Sequence, residues 1–346
     1  MNDESHSTPV QNDSFDPIDW ALDNLKPRKC ATPDFIYDHM ESQSGRCLAH
    51  IYEPFDNNNF IHFSDRGITW DFILSTGGGK ILDFGPGDGW PSLVVAPFVQ
   101  TVIGCDGSKK RVVICKENAI RMGIDNTQFV HVEPDSPLPF DDASFDGVMA
   151  ASSLEQTPDP KATLAELLRV LKPGGRLRMF YEALGRYKGK LERDVWVLDE
   201  GQPSWHLVLY KRDIANELVH QIRLTVKRDP SIAGRTLHQL VSQLAYRELT
   251  PELMVSLADN LEDAAICTTT HPSGETWQSW LIDVGFSKVT PTRSGGAFAK
   301  DLYRSLAEGG RHLSLNELDD SLKESLPEVV NTIVPIDQDP PLTATK

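Results

Sequence analysis

The chain has 346 residues, 40% of them apolar, and a formal net charge of -16. That length suits one large domain with appendages or two domains, and the acidic balance offers no basic footprint for nucleic acid or an anionic membrane surface. The five cysteines (Cys30, Cys47, Cys105, Cys115, Cys267) are scattered without a C-x-x-C pair, which gives no support to a disulfide framework or a zinc site; with no secretory-signal pattern and no bilayer-spanning run, the expectation is a cytoplasmic protein without a metal.

Residues 1–17 are polar, acidic and free of Lys and Arg, the composition of a disordered tail. Residues 18–77 are rich in aromatics, with helices expected at 18–25 and 33–42 and a turn at 56–59. This segment has two readings: a lid over a pocket, or a helical extension covering a sheet edge. Gly77, Gly78 and Gly79 precede the next strand, whereas a phosphate loop follows one, so they read as a linker.

Residues 80–90 read KILDFGPGDGW. Ile81, Leu82 and Phe84 suit a buried strand, and Gly85, Gly87 and Gly89 then bring bare backbone close to a ligand. The dinucleotide fingerprint needs Gly or Ala three residues after its second glycine. Trp90 stands there instead, which disfavours a pyrophosphate. Asp83, ahead of the glycines, points to a cationic ligand. A second strand ends at Asp106, about twenty residues on, the distance at which α/β nucleotide folds bond ribose hydroxyls. Ser108 suits the cap of the next helix, whose basic cluster at 109–116 reads as a solvated face.

A third strand is expected at 128–132, followed by Glu133, Pro134, Asp135 and Ser136, and a fourth at 145–150. A helix at 160–171 ends in Lys172-Pro173-Gly174-Gly175, which turns into a fifth strand at 176–181. This rhythm implies a parallel sheet covered on both faces. Residues 184–273 break it. They carry strands at 195–198, 206–210 and 219–227 and helices at 236–247 and 251–262, and read as an insertion. A helix at 275–284, a final antiparallel pair at 286–290 and 296–302, and a weak helix at 315–325 in an acidic tail complete the reading.

Four motifs stand in order: DFGPGDG at 83–89, the acid Asp106, LPFDDASFD at 138–146 and RVLKPGG at 169–175. Together they resemble class I S-adenosylmethionine-dependent methyltransferases, in particular the small-molecule branch grouped as the type 11 domain. The resemblance covers about residues 78–183, with an echo at 275–303. It implies an α/β, Rossmann-like, mostly parallel seven-stranded sheet with helices on both faces, an N-terminal helical lid and an α+β insertion after the fifth strand. The corresponding layout is a tail at 1–17, a lid at 18–77, a cofactor-binding core at 78–183, an insertion at 184–273 that covers substrate or dimerises, the rest of the core at 274–307 and a tail at 308–346.

The resemblance also implies roles. Gly85, Pro86, Gly87 and Gly89 would lie against the methionine part of S-adenosylmethionine, and Asp83 would hold its amino group or orient the loop's own amides. Asp106, with Gly107 and Ser108, would receive the ribose hydroxyls, or Asp106 would merely cap the next helix. Asp135 and Ser136, with Glu133, fall where the family contacts adenine; a plain surface turn is the rival. Ala151 and Ser152 would border the sulfonium. In place of the histidine often found after the fourth strand, Glu155 is a candidate base or a solvated loop acid, with His50, His206 and His271 as further candidates. No N-P-P-Y, D-P-P-Y or Pro-Cys pair follows that strand, which disfavours adenine, glutamine and cytosine C5 methylation. The expected function is methyl transfer to a small or medium organic acceptor, with neither nucleic acid nor membrane as partner and a homodimer through the insertion as one arrangement. The alternatives are a non-catalytic S-adenosylmethionine sensor and an aminopropyl transferase.

Overall fold

The computed structural model describes residues 15–40, 53–189, 192–198, 204–227 and 246–346. Asp16 accepts from the backbone N–H of Ile18 and Asp19 and starts α1 (Pro17–Leu25), which is followed by β1 (Arg28–Lys29) and α2 (Asp34–Met40). The long α3 (Phe60–Thr76) begins at an Asn59 cap and ends at Gly77, whose φ of 93° closes the helix as only glycine does cheaply. Next come β2 (Lys80–Phe84), α4 (Ser92–Val95), β3 (Thr101–Asp106), α5 (Lys109–Met122) and β4 (Thr127–His131), then β5 (Phe145–Ala151), α6 (Pro160–Val170) and β6 (Leu171–Phe180).

Strands β2 to β6 are all parallel, and β2 lies between β3 and β5. The chain therefore reverses its direction of winding beside β2, and ligands of open α/β sheets bind at the strand ends of such a switch point. Apolar side chains fill both faces. Leu82, Val148, Leu177 and Trp277 lie in one cluster, and Ile81, Met149, Phe72 and Leu322 in the other.

The last third departs from the sequence reading. After β7 (Arg193–Leu198), β8 (Ser204–Asp213) and β9 (Leu218–Lys227), α7 (Pro251–Ala258) stops short and β10 (Leu261–Thr270) follows. Residues 261–262, expected in a helix, begin this strand, which the sequence reading lacked altogether. Strands β7 to β10 form an antiparallel meander, and β1 joins β10 in parallel to make a second, five-stranded sheet. One face packs Leu207, Leu209, Ile222 and Leu224 against Ile18 and Met254. Residues 236–245 of the expected helix lie outside the described residues, and Tyr246–Glu248 is a single 3-10 turn.

Beyond α8 (Gly274–Val284), β11 (Lys288–Pro291) forms as expected, but residues 296–302 belong to α9 (Gly295–Glu308). Gly295 and Gly296 at the start of this helix serve helix contact. A Cβ on Gly295 would lie 2.5 Å from the Gly67 carbonyl oxygen, and one on Gly296 2.6 Å from Ile68, so α9 and α3 touch through bare backbone. Residues 308–346 are likewise no mere tail. They form α10 (Leu315–Val329) and β12 (Leu342–Thr345), which inserts antiparallel between β6 and β11. Leu342 and Ala344 of β12 are buried in the core. The sheet order β11-β12-β6-β5-β2-β3-β4 is thus completed by the last residues of the chain.

Two buried ion pairs tie this C-terminal part to α3. Arg66 of α3 holds Asp319 of α10 through two bonds of 2.5 and 2.6 Å, with Trp70 Nε1 adding a third. Arg178 of β6, wholly buried, binds both carboxylate oxygens of Asp71 and the hydroxyls of Thr292 and Thr343.

Candidate functional site

The C-terminal ends of β2, β3, β5 and β6 open onto one cleft of about 1000 Å³. The glycine loop forms its floor. Gly85, Gly87 and Gly89 have φ of 72°, 58° and 109°, conformations that a side chain strains. At Gly85 a Cβ would also stand 2.4 Å from the Cβ of Ser153. Gly85 N–H donates to the carbonyl of Cys105 at 2.8 Å, which fastens the loop to β3.

Asp83 lies beneath this loop and does not line the cleft. One of its oxygens accepts from Ser92 Oγ at 2.6 Å, the other has no partner, and burial pushes the carboxyl pKa up to about 7. In this position Asp83 orients the loop and the start of α4. Asp106 does reach the cleft. It accepts from Gly87 N–H at 3.2 Å and Ser108 N–H at 2.8 Å, and burial raises its pKa to about 6. It therefore couples the glycine loop to the cap of α5 and still has lone pairs for a ligand.

Gly85, Pro86, Gly87 and Gly107 line the cleft, as do Glu133, Asp135, Ser136, Ala151 and Ser152. Gly89 and Ser108 do not. Ser108 instead accepts from Arg111 N–H at the start of α5 and donates to Asp38 at 2.6 Å. Glu155 is neither a solvated loop acid nor a cleft residue. It is fully buried, its Oε1 accepts from the backbone N–H of Glu182 at 2.9 Å, its Oε2 has no partner, and burial lifts its pKa to about 7. The 3-10 turn Leu154–Gln156 folds this side chain inward. Of the histidines, His50 lies outside the described residues. His206 bonds Thr225 across the second sheet, and His271 is buried with its Nδ1 3.5 Å from Glu182 Oε2.

The cleft adds residues that the sequence did not single out: Thr32 and Asp34 from the N-terminal segment, Gln156 beside Glu155, and Glu182 and Arg186 just past β6. Trp90, noticed only as a departure from the fingerprint, also lines it and has a buried indole N–H without a partner. Glu182 follows its strand by two residues, much as Asp83 and Asp106 sit at the ends of theirs; that strand-end position was the available signal. The lining carries eight carboxylates (Asp34, Asp88, Asp106, Glu133, Asp135, Asp159, Glu166, Glu182) against two arginines, Arg111 and Arg186. Such a donor-poor, acidic cavity suits a ligand that bears cationic centres and hydroxyls.

The family described as a methyltransferase domain matches residues 82–179, the span that builds this loop, its flanking acids and the strands beneath them. Residues 82–179 carry a class I S-adenosylmethionine-dependent methyltransferase domain. Curated relatives match stretches of similar length. A demethylmenaquinone methyltransferase of Clavibacter sepedonicus is 37% identical over 32% of this chain and 44% of its own length. An uncharacterized methyltransferase, YcgJ, of Bacillus subtilis is 35% identical over 35% and 47%. A tRNA 5-carboxymethoxyuridine methyltransferase of Escherichia coli is 34% identical over 31% and 41%. The chain therefore spans less than half the length of these relatives. Among solved structures, an S-adenosylmethionine-dependent methyltransferase of Clostridium acetobutylicum covers 89% of this chain and 96% of its own at 11% identity and a TM-score of 0.47, a likeness too loose to bear on function.

S-adenosylmethionine is the cofactor of this family, and the cleft fits it. The acids match its sulfonium and ammonium, and Asp106 has free acceptor capacity. Among the described residues no group of His, Cys, Asp and Glu is placed to hold a metal, and no helix is long and apolar enough to cross a membrane.

Proposed function

We propose that the chain transfers the methyl group of S-adenosylmethionine to a small or medium organic acceptor that is not a nucleic acid. The observation that carries the reading is the cleft itself: a glycine loop and Asp106 at the switch point, continuous with a polar end at Glu182 and Arg186 against the second sheet. In this reading Gly85, Pro86 and Gly87 lie along the methionine part, with Asp83 and Gly89 shaping the loop from behind. Asp106 accepts from the ribose hydroxyls, Gly107 and Ser108 hold its position, and Asp135 and Ser136 flank adenine. Ala151 and Ser152 border the sulfonium.

When bound, the sulfonium supplies an already activated methyl group, so the protein's share is alignment and exclusion of water. Asp106 and the loop fix one partner, and Ser153 and Gln156 with Glu182 and Arg186 fix the other. A cleft with eight carboxylates, in a chain of net charge -16, repels a phosphate backbone; this supports a small acceptor over an RNA, although one relative's name is that of a tRNA methyltransferase. The test is incubation with S-adenosylmethionine tritiated in its methyl group, together with a metabolite extract or, separately, total tRNA. Label in the metabolite fraction alone is the expected result. Label in tRNA overturns the choice of acceptor, and saturable cofactor binding with no transfer to either favours a sensor.

A further inference from the structure

We propose that Glu182 is the residue that meets the acceptor: its carboxylate faces the methyl group being transferred and receives the proton of an O–H or N–H nucleophile, with Glu155 and His271 as positioning residues. This rests on reading the cleft as the S-adenosylmethionine site.

The placement follows from strand register. Ala151 of β5 pairs with Phe180 of β6, and Ser152 N–H donates to the Phe180 carbonyl at 2.8 Å. Two residues past Phe180, Glu182 therefore stands beside Ser152 and Ser153, where the sulfonium end of the cofactor lies, and it lines the cleft.

The two oxygens of Glu182 are differently employed. Oε1 accepts from Arg186 Nη2 at 2.5 Å and from the Tyr187 hydroxyl. Oε2 takes no hydrogen bond among the described residues; His271 Nδ1 lies 3.5 Å from it. Burial pushes the His271 pKa down to about 4, so that imidazole is neutral and leaves the carboxylate's charge in place. His271 is itself anchored by Nε2 on Thr269 Oγ1 at 3.1 Å. Beneath, the buried Glu155 grips the Glu182 backbone N–H. Oε1 is thus held by two donors of the Leu184–Tyr187 turn and the backbone by Glu155, while Oε2 keeps its lone pairs on a residue that lines the cleft.

The chemistry balances without a further reactant. The nucleophile's lone pair forms the bond to the methyl carbon as the sulfur–carbon bond breaks and its electron pair stays on sulfur. The nucleophile's proton passes to Glu182 Oε2.

Sinefungin, a cofactor analogue with a protonated amine at the position of the transferable methyl, tests this without knowledge of the acceptor. Calorimetric affinities for sinefungin and S-adenosylhomocysteine are compared in wild type and Glu182→Gln. The expected result is a wild-type preference for sinefungin that falls about tenfold in the variant, while S-adenosylhomocysteine binds both equally. An unchanged preference overturns the proposal. So does an equal loss of both ligands in Glu182→Gln and Glu182→Asp, which would mark a structural role. Wild type that binds neither ligand removes the cofactor reading itself.

Discussion

At the scale of single residues, carboxylates of similar position in the sequence do different work because burial and bonding separate them. Asp106 already holds two backbone N–H groups and remains open to the cleft; its charged form is the one that accepts from ribose. With its pKa raised to about 6, protonation below that value removes an acceptor. The affinity for S-adenosylhomocysteine therefore falls as pH drops through 6, and in Asp106→Asn it is weak and flat across the same range; titrations at pH 5, 6 and 7.5 check this. The DFGPGDG run made Asp83 legible and the end of the next apolar run made Asp106 legible, because strand-end acids and turn glycines are local features. Glu155 and Glu182 were not separable in that way. Which of them faces the cleft depends on a 3-10 turn folding Leu154–Gln156 inward, and local spacing does not encode that choice.

At the scale of elements, the C-terminal segment is part of the core. Asp71 on α3 holds the wholly buried Arg178 and also accepts from Gly295 N–H at 2.7 Å at the start of α9. Asp71→Ala leaves an uncompensated buried guanidinium and is expected to destabilise the fold by about 3–5 kcal/mol, read as the loss in chemical unfolding. Gly295→Val drives a side chain into the Gly67 carbonyl; overpacking of this kind costs about 1–3 kcal/mol, read in chemical unfolding. The sequence exposed the β2 to β6 rhythm because each strand is an apolar run closed by a turn signal. It concealed β12, whose four residues follow two prolines and contribute only Leu342 and Ala344 to the core. It concealed β10 because Thr268, Thr269 and Thr270 follow small residues with little alternation, so that strand is fixed by pairing with β9 rather than by its own pattern.

At the scale of the whole molecule, buried acids and surplus negative charge act together. Burial raises the pKa of Asp83 and Glu155 to about 7 and of Asp106 to about 6. The folded state binds these protons more tightly than the unfolded chain, so their contribution to stability grows as pH falls from 8 toward the unfolded values near 4 and is lost as pH rises through 6 to 7. Paired acids with lowered pKa, such as Asp146 and Glu166, act oppositely, and their stabilisation is lost only below about pH 4. Thermal unfolding midpoints are expected to rise from pH 8 to pH 6, and to rise less in Asp83→Asn. The central claim is that the cleft at the ends of β2 and β3 holds S-adenosylmethionine. Isothermal titration of S-adenosylhomocysteine into wild type and Asp106→Ala tests it most directly: saturable one-site binding that the substitution weakens by at least about tenfold is predicted, and a wild type that takes up no ligand would contradict it.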